Sequence, residues 1–320
     1  MILTLTPNPS IDATLNLQEA INPGAVHRAS QVSQVAGGKG VNVTHAVHLA
    51  GEKSVALLPA RKGDHFLTLM EDGNIPFDAV SMPGSVRTNT TITEPDGRTT
   101  KVNGPGPELD EKVQAAISSS LAALSIGAEW VVLAGSLPKG VPTHWYATLV
   151  DAIRSAAPQA RIAVDTSDAP MVALAERLNE SAPNLIKPNG LELGQLTDTD
   201  GNALEAAAEQ GDYSGVVEAA RVVVGRGVDE VLVTLGGAGA VLVTADGAWA
   251  ATPPPTAVAS TVGAGDSALA GYILARRAGK DFAEALRQSV AYGSAAAALP
   301  GTQLPKPAQV NIAETKVLTL

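Results

Sequence analysis

The chain has 320 residues, no cysteine and a formal charge of −10. These exclude disulfides, thiolate nucleophiles and Cys-ligated zinc, and with no basic tract they argue against a nucleic-acid partner. A hydrophobic fraction of 45% supplies a substantial core, and an aromatic fraction of 3% favours small-residue helix-on-sheet packing.

The opening "MILTLTPNPSID" lacks the basic region and long apolar run of a signal peptide. No stretch is apolar for long enough to span a bilayer, so the expectation is a soluble, cytoplasmic protein with no membrane partner. "MILTLT" predicts a short buried strand, broken by "PNPSID". Two segments then read as a sheet packed on one face only, one over 13–35 and one over 87–102. The second, "RTNTTITEPDGRTTKV", turns at Asp96-Gly97. Next come four expected buried parallel strands, "EWVVLAGS" (129–136), "RIAVD" (161–165), "NLIKPN" (184–189) and "EVLVTL" (230–235). Amphipathic helices lie between them; Val216, Val217, Ala220, Val223 and Val224 fall on one helical face. The acidic stretch 198–212 reads as a surface loop or frayed helix. "GAVLVTADGAWAA" is a hairpin, "TPPPTAV" a stiff connector, and Ala-rich helices follow near 265–277 and 281–298. Alternation of this kind predicts a doubly wound, mostly parallel α/β sheet with a small β-sheet projecting as a lid.

Chemistry concentrates in five Gly- or Pro-punctuated turns. In "VASTVGAGDSALAG", Gly263, Ala264 and Gly265 open a helix whose free N–H groups suit an anion. Asp266 beside them reads either as a helix cap or as a base for a hydroxyl attacking a phosphate. In "AGGKGVNV", Lys39 and Asn42 share a helical face and suit a polyhydroxy, phosphorylated ligand; the bland alternative is a turn with a solvated lysine. In "IKPNGLELGQL", Asn189 and Glu192 suit hydrated Mg²⁺ or a capping box. "TLGGAGAVLV" brings glycines after a strand, where a nucleotide can approach, but its spacing and the following hairpin argue against NAD. "LAGSLPKGVP" places Ser136 at a strand end, where it can donate to a phosphate. The five histidines show no metal spacing, and no serine-hydrolase elbow is present.

Taken in order, "TPNPSID", "GGKGVN", "GSLPKG", "IKPNGLE", "TLGGAGA" and "STVGAGDSALAG" resemble the PfkB/ribokinase family of carbohydrate kinases over essentially the whole chain. "TPNPSID", the lysine of "GGKGVN" and "VRTNTTITEPDG" look like its 1-phosphofructokinase and tagatose-6-phosphate kinase branch, and most like 1-phosphofructokinase. The resemblance implies a ribokinase-like core over 1–10, 37–85 and 105–320 and a β-lid over 11–36 and 86–104. It implies ATP- and Mg²⁺-dependent phosphorylation of the 6-hydroxyl of fructose 1-phosphate, giving fructose 1,6-bisphosphate. Tagatose 6-phosphate and fructose 6-phosphate are rival substrates, and a non-catalytic sugar-phosphate sensor is a reading of another class.

By matching motifs, Asp266 is implied as the base, with Gly263, Ala264 and Gly265 as the anion hole. Asp12, Gly37, Gly38 and Asn42 are implied at the sugar, and Lys39, Arg87 and Ser136 at the phosphate it already carries. Lys187, Asn189 and Glu192 fall to the nucleotide phosphates and Mg²⁺, and Thr234, Gly236 and Gly239 to the nucleotide. A monovalent cation, K⁺ in particular, is implied near Ser260, Val262 and Gly301, and a homodimer paired through the lids.

Overall fold

In the computed structural model, which describes residues 1–320, the apolar runs become strands and the segments of helical periodicity become helices. The chain begins β1 (Ile2–Leu5), β2 (Ser10–Leu17), β3 (Ala29–Gly37), α1 (Lys39–Leu49), β4 (Ser54–Pro59), α2 (His65–Asp72), β5 (Phe77–Val80), β6 (Arg87–Thr93) and β7 (Thr99–Asn103). It continues α3 (Glu111–Ser125), β8 (Trp130–Ala134), α4 (Trp145–Ala156), β9 (Arg161–Asp165), α5 (Asp168–Glu176), the single turn α6 (Leu178–Ser181), β10 (Leu185–Ile186) and α7 (Gly190–Thr197). It closes with α8 (Gly201–Glu209), α9 (Ser214–Val224), β11 (Glu230–Thr234), β12 (Ala240–Thr244), β13 (Gly247–Thr252), α10 (Ala264–Arg277), α11 (Phe282–Ala297) and β14 (Lys316–Thr319).

Ten strands form one sheet in the order β14-β13-β12-β11-β10-β9-β8-β1-β4-β5. It is parallel from β5 to β11, and β12, β13 and β14 add antiparallel strands at one edge. The chain leaves β1 for β4 on one side and reaches β8 on the other, so the winding reverses beside β1. In open α/β sheets that crevice, at the carboxyl ends of the strands, is where ligands bind. Alternate strand residues feed two cores. Leu3, Leu5, Val131 and Leu133 lie in one, Ile2, Trp130, Val132 and Ala134 in the other, and helices cover both faces. Each Leu, Ile or Val side chain removed from water contributes about 1.5–3 kcal/mol. The Gly- and Ala-rich C-terminal helices approach closely: a Cβ on Gly271 of α10 would lie 2.8 Å from the Tyr292 Cβ of α11.

Three local readings change. The strand expected over 184–189 shortens to Leu185–Ile186, because Pro188 has no N–H to continue the ladder. The acidic 198–212 stretch contains the regular helix α8, started by Asp200, whose carboxylate accepts from the Asn202 and Ala203 N–H groups. The final residues add β14, which sequence patterning did not reveal.

The other four strands form a separate sheet, β3-β2-β6-β7, with β2 and β6 parallel and a hairpin on each side. Register fixes its two faces. Asp12, Val35, Asn89 and Asn103 stand in a row on one face, followed outward by Thr14, Ser33, Thr91 and Lys101. Leu15, Val32 and Ile92 share the opposite face, with Val102 one pair along; Val32 is 58% and Val102 59% exposed.

Candidate active site

The parallel strands deliver their last residues to one crevice. "RIAVD" is apolar in its middle and ends on Asp165, whose side chain is wholly buried. A lone carboxylate there would be prohibitively desolvated. It is held by two cations: Lys39 Nζ of α1 donates to Oδ1 at 2.6 Å, and Lys187 Nζ, just past β10, lies 3.1 Å from Oδ2. Burial alone would raise the Asp165 carboxyl, but Lys187 and Lys39 outweigh it and hold the group below its ordinary value. Burial likewise works against a charged Lys39, and the Asp165 carboxylate reverses it, raising Lys39 above its ordinary value.

Asp266 projects into the same place from the first turn of α10. Gly263 takes φ +77°, a left-handed turn suited to glycine, and the helix begins at Ala264. Asp266 makes no cap hydrogen bond, so its carboxylate is not the helix cap; it accepts from Asn42 Nδ2 at 2.8 Å. The Gly265 and Asp266 N–H groups find no acceptor within the chain. Lys187 Nζ stands next to them, 3.4 Å from where a Cβ on Gly265 would be. Burial first, then the Asp165 charge, raises the Asp266 carboxyl to about 6, against the pull of Lys39, Asn42 and Lys187. A carboxylate near neutrality beside open N–H groups can take a proton from one atom while donors hold charge on the next.

The small sheet meets the crevice at its base. Asp12 Oδ1 accepts from Ser10 Oγ at 2.8 Å and Asn89 Nδ2 at 3.1 Å, and burial raises the Asp12 carboxyl. Asp12 Oδ2 fills the space a Cβ on Gly37 would need. Gly38 sits at φ +120°, where a Cβ would strike Thr6 Cγ2 at 2.7 Å. Arg87 donates to the Asn8 carbonyl at 3.2 Å and to the Gly104 carbonyl at 3.3 Å. Asn8 Nδ2 in turn donates to Ser136 Oγ at 3.3 Å. Arg87 and Ser136 are thus joined through Asn8, whereas Lys39, grouped with them on the sequence, is held by Asp165.

On the other side, Asn189 and Glu192 form both bonds of a capping box: Asn189 Oδ1 accepts the Glu192 N–H at 2.7 Å, and Glu192 Oε2 accepts the Asn189 N–H at 2.8 Å. Burial raises the Glu192 carboxyl, opposed chiefly by Lys39. With the Asn189 amide oxygen engaged, the second Glu192 oxygen is the acceptor left for water on a cation; this fits a hydrated Mg²⁺ better than direct ligation. Thr234 bridges to Asn189 across the strand ends, and Gly236 and Gly239 take φ +55° and +95° in the turn that follows. Ser260 Oγ accepts the Val262 N–H at 3.2 Å, and Gly301 turns at φ +63°; neither Ser260 nor Val262 is hydrogen-bonded to Gly301.

Sequence reasoning assigned no role to Asp165, Asn8 or Asn89. Asp165 carried a signal as the single acid closing an otherwise apolar strand core, and Asn8 and Asn89 lie inside the quoted motifs "TPNPSID" and "VRTNTTITEPDG".

Residues 6–309 match the pfkB family of carbohydrate kinases. The chain is 36% identical to a 1-phosphofructokinase of Xanthomonas campestris pv. campestris, covering 84% of this chain and 82% of that protein. It is 36% identical to a 1-phosphofructokinase of Rhodobacter capsulatus, covering 96% and 93%. The fold superposes on Escherichia coli phosphofructokinase-2, solved in complex with substrates and products, with a TM-score of 0.85, 30% identity and 96% of each chain covered.

Proposed function

The chain belongs to the pfkB family of carbohydrate kinases, a phosphotransferase enzyme on the ribokinase-like fold, and from that premise we propose that it phosphorylates the 6-hydroxyl of fructose 1-phosphate. ATP is the donor and the products are fructose 1,6-bisphosphate and ADP. Phosphoryl transfer rests on Asp266, a buried carboxylate raised to about 6 beside the unpaired Gly265 and Asp266 N–H groups, and the choice of fructose 1-phosphate is supported by the likeness to 1-phosphofructokinases.

In this reading Asp266 takes the proton of the 6-hydroxyl as its oxygen bonds to the γ-phosphorus. The bond from that phosphorus to the β,γ-bridging oxygen breaks, and ADP leaves with the electron pair. The N–H groups of Gly265 and Asp266, at the helix end begun by Gly263 and Ala264, hold the developing charge, joined by Lys187. Asn42 aims the Asp266 carboxylate through its 2.8 Å bond. Asp12, Gly37 and Gly38 hold sugar hydroxyls, and Arg87 and Ser136 meet the phosphate already present. Lys39, one donor committed to Asp165, keeps two for the phosphate passing between substrates. Glu192 would hold Mg²⁺ through water, and the ion would neutralise charge on the nucleotide phosphates; Asn189, Thr234, Gly236 and Gly239 face the nucleotide. Backbone oxygens near Ser260, Val262 and Gly301 would hold a monovalent cation such as K⁺, which would add positive charge to the anion hole. We read the enzyme as cytoplasmic, where ATP and sugar phosphates are both plentiful.

The sheet of 11–36 and 86–104 acts as a lid that excludes water on closure. Its exposed Val32 and Val102 support pairing of two lids as a homodimer.

The test compares kcat/KM for fructose 1-phosphate, fructose 6-phosphate and tagatose 6-phosphate with saturating ATP. A preference for fructose 1-phosphate is expected. Preference for a 6-phosphate would move the assignment to a neighbouring activity of the family, and saturable binding with no product would identify a sensor.

A further inference from the structure

The loop that presents Ser136 is built around one pinned carbonyl. Gly135 follows β8 at φ +108°, a backbone that side chains rarely adopt. Its N–H donates to the Asp165 carbonyl at 2.9 Å, as an extension of the sheet. Its own carbonyl points into the core, where it accepts two hydroxyls, Tyr146 Oη at 2.7 Å and Thr166 Oγ1 at 2.9 Å. Both side chains are fully buried, and Tyr146 is among the largest so enclosed. The peptide bonds of the chain are trans and planar, so carbonyl and N–H of one peptide point opposite ways. With the Gly135 oxygen held in the core, the Ser136 N–H is turned outward. Ser136 is exposed and its N–H has no acceptor within the chain. Its Oγ is bonded to Asn8, whose carbonyl holds Arg87.

We propose that Tyr146 and Thr166 are positioning residues: by clamping the Gly135 carbonyl they aim the Ser136 N–H, together with Ser136 Oγ and Arg87, at the phosphate group of the sugar phosphate. Glycine makes the device necessary. Without the two hydroxyls the Gly135–Ser136 peptide is free to rotate, and its carbonyl would then face the anion. The clamp also ties the substrate loop to β9, whose Asp165 side chain orders Lys39 and Lys187. One dipeptide, Asp165-Thr166, thereby organises the cations of the transfer site and the donor for the distal phosphate.

The inference rests on the functional reading above and is tested on the full-length enzyme. Tyr146→Phe and Thr166→Val each remove one hydroxyl and keep the apolar shape. Each is expected to raise the KM for fructose 1-phosphate roughly fivefold, the size of one lost hydrogen bond to an oriented group, with kcat and the KM for ATP within about twofold. The combined variant loses more than either, and Thr166→Ser, which keeps the hydroxyl, restores the wild-type KM. An unchanged sugar-phosphate KM in both single variants, or an equal rise in the KM for ATP, overturns the inference. Tyr146→Phe alone decides if the combined variant does not fold. Wild-type enzyme that turns over no ketose phosphate overturns the functional reading instead, and is seen before any variant is made.

Discussion

The same sheet buries two carboxylates, each held by two cations, at opposite ends. Asp165 closes β9 at the crevice, and Glu230 opens β11 at the far side. Glu230 Oε1 accepts from Arg161 at 2.7 Å and Arg276 at 3.4 Å, and its Oε2 accepts from Tyr272 Oη at 2.8 Å. Arg161 stacks over Trp130 at 4.7 Å and Arg276 over Phe282 at 4.2 Å. Planar guanidinium forks on aromatic faces close this cluster around its acid. At Asp165 the partners are lysines, whose ammonium groups keep unspent donors; Lys39 is 34% exposed toward the crevice. A second acid, Asp266, stands beside them with no cation of its own. Two clusters of similar composition are therefore a closed strut and an open site, and the cation type and the additional acid, Asp266, make the difference.

The comparison can be broken first at Asp266. Asp266→Asn should lower kcat by ~10²–10⁴-fold, the usual size of a lost general base. The same change should raise the melting temperature at pH 7.5. A carboxyl raised from 3.8 to about 6 binds its proton more tightly in the folded state. It stabilises the fold below pH 3.8, and that contribution is lost as pH rises through about 6, so ionised Asp266 is a burden that Asn removes. Calorimetry beside steady-state kinetics reads both; retained turnover, or a lower melting temperature at that pH, would contradict the open-site description.

Glu230→Ala should do the reverse. Leaving Arg161 and Arg276 without their acid costs on the order of 3–5 kcal/mol in denaturant unfolding, with kcat per folded molecule unchanged. A loss of kcat in correctly folded enzyme would show that the far cluster reaches the site.

The wild-type kcat/KM should fall as pH drops through about 6, where Asp266 takes its proton. In Asp165→Asn the residual activity should keep this acid limb but move it to lower pH. The Asp165 charge raises the Asp266 carboxyl, and Lys39, released from Asp165, is free to pair with it. A limb that stays in place would mean that Asp165 acts on the lysines alone.

Much of the core was legible because burial imposes a period: β8, β9 and β11 are apolar runs of strand length, and α9 carries its valines on one face. Asp266 and Asn42 were legible as residue types in suitable turns, but their 2.8 Å contact joins positions 224 apart, and no local pattern carries that. Asn189 and Glu192 show the limit most plainly. Their spacing fits a capping box and a metal site, and the box that forms leaves one Glu192 oxygen open to a hydrated cation.

The sequence by itself determined the strand and helix periods, the glycine turns at helix starts, the lack of thiol chemistry and the family. These follow from local backbone preferences and hydrophobic spacing, which act within a few residues. Only the tertiary structure decided that Asp266 is not a cap, that Lys39 belongs to Asp165, and that Tyr146 holds the loop of Ser136. Each of those rests on a charge or a hydroxyl buried among groups from distant strands, and burial is what sets the strength of such contacts and the proton affinity of the acid they surround.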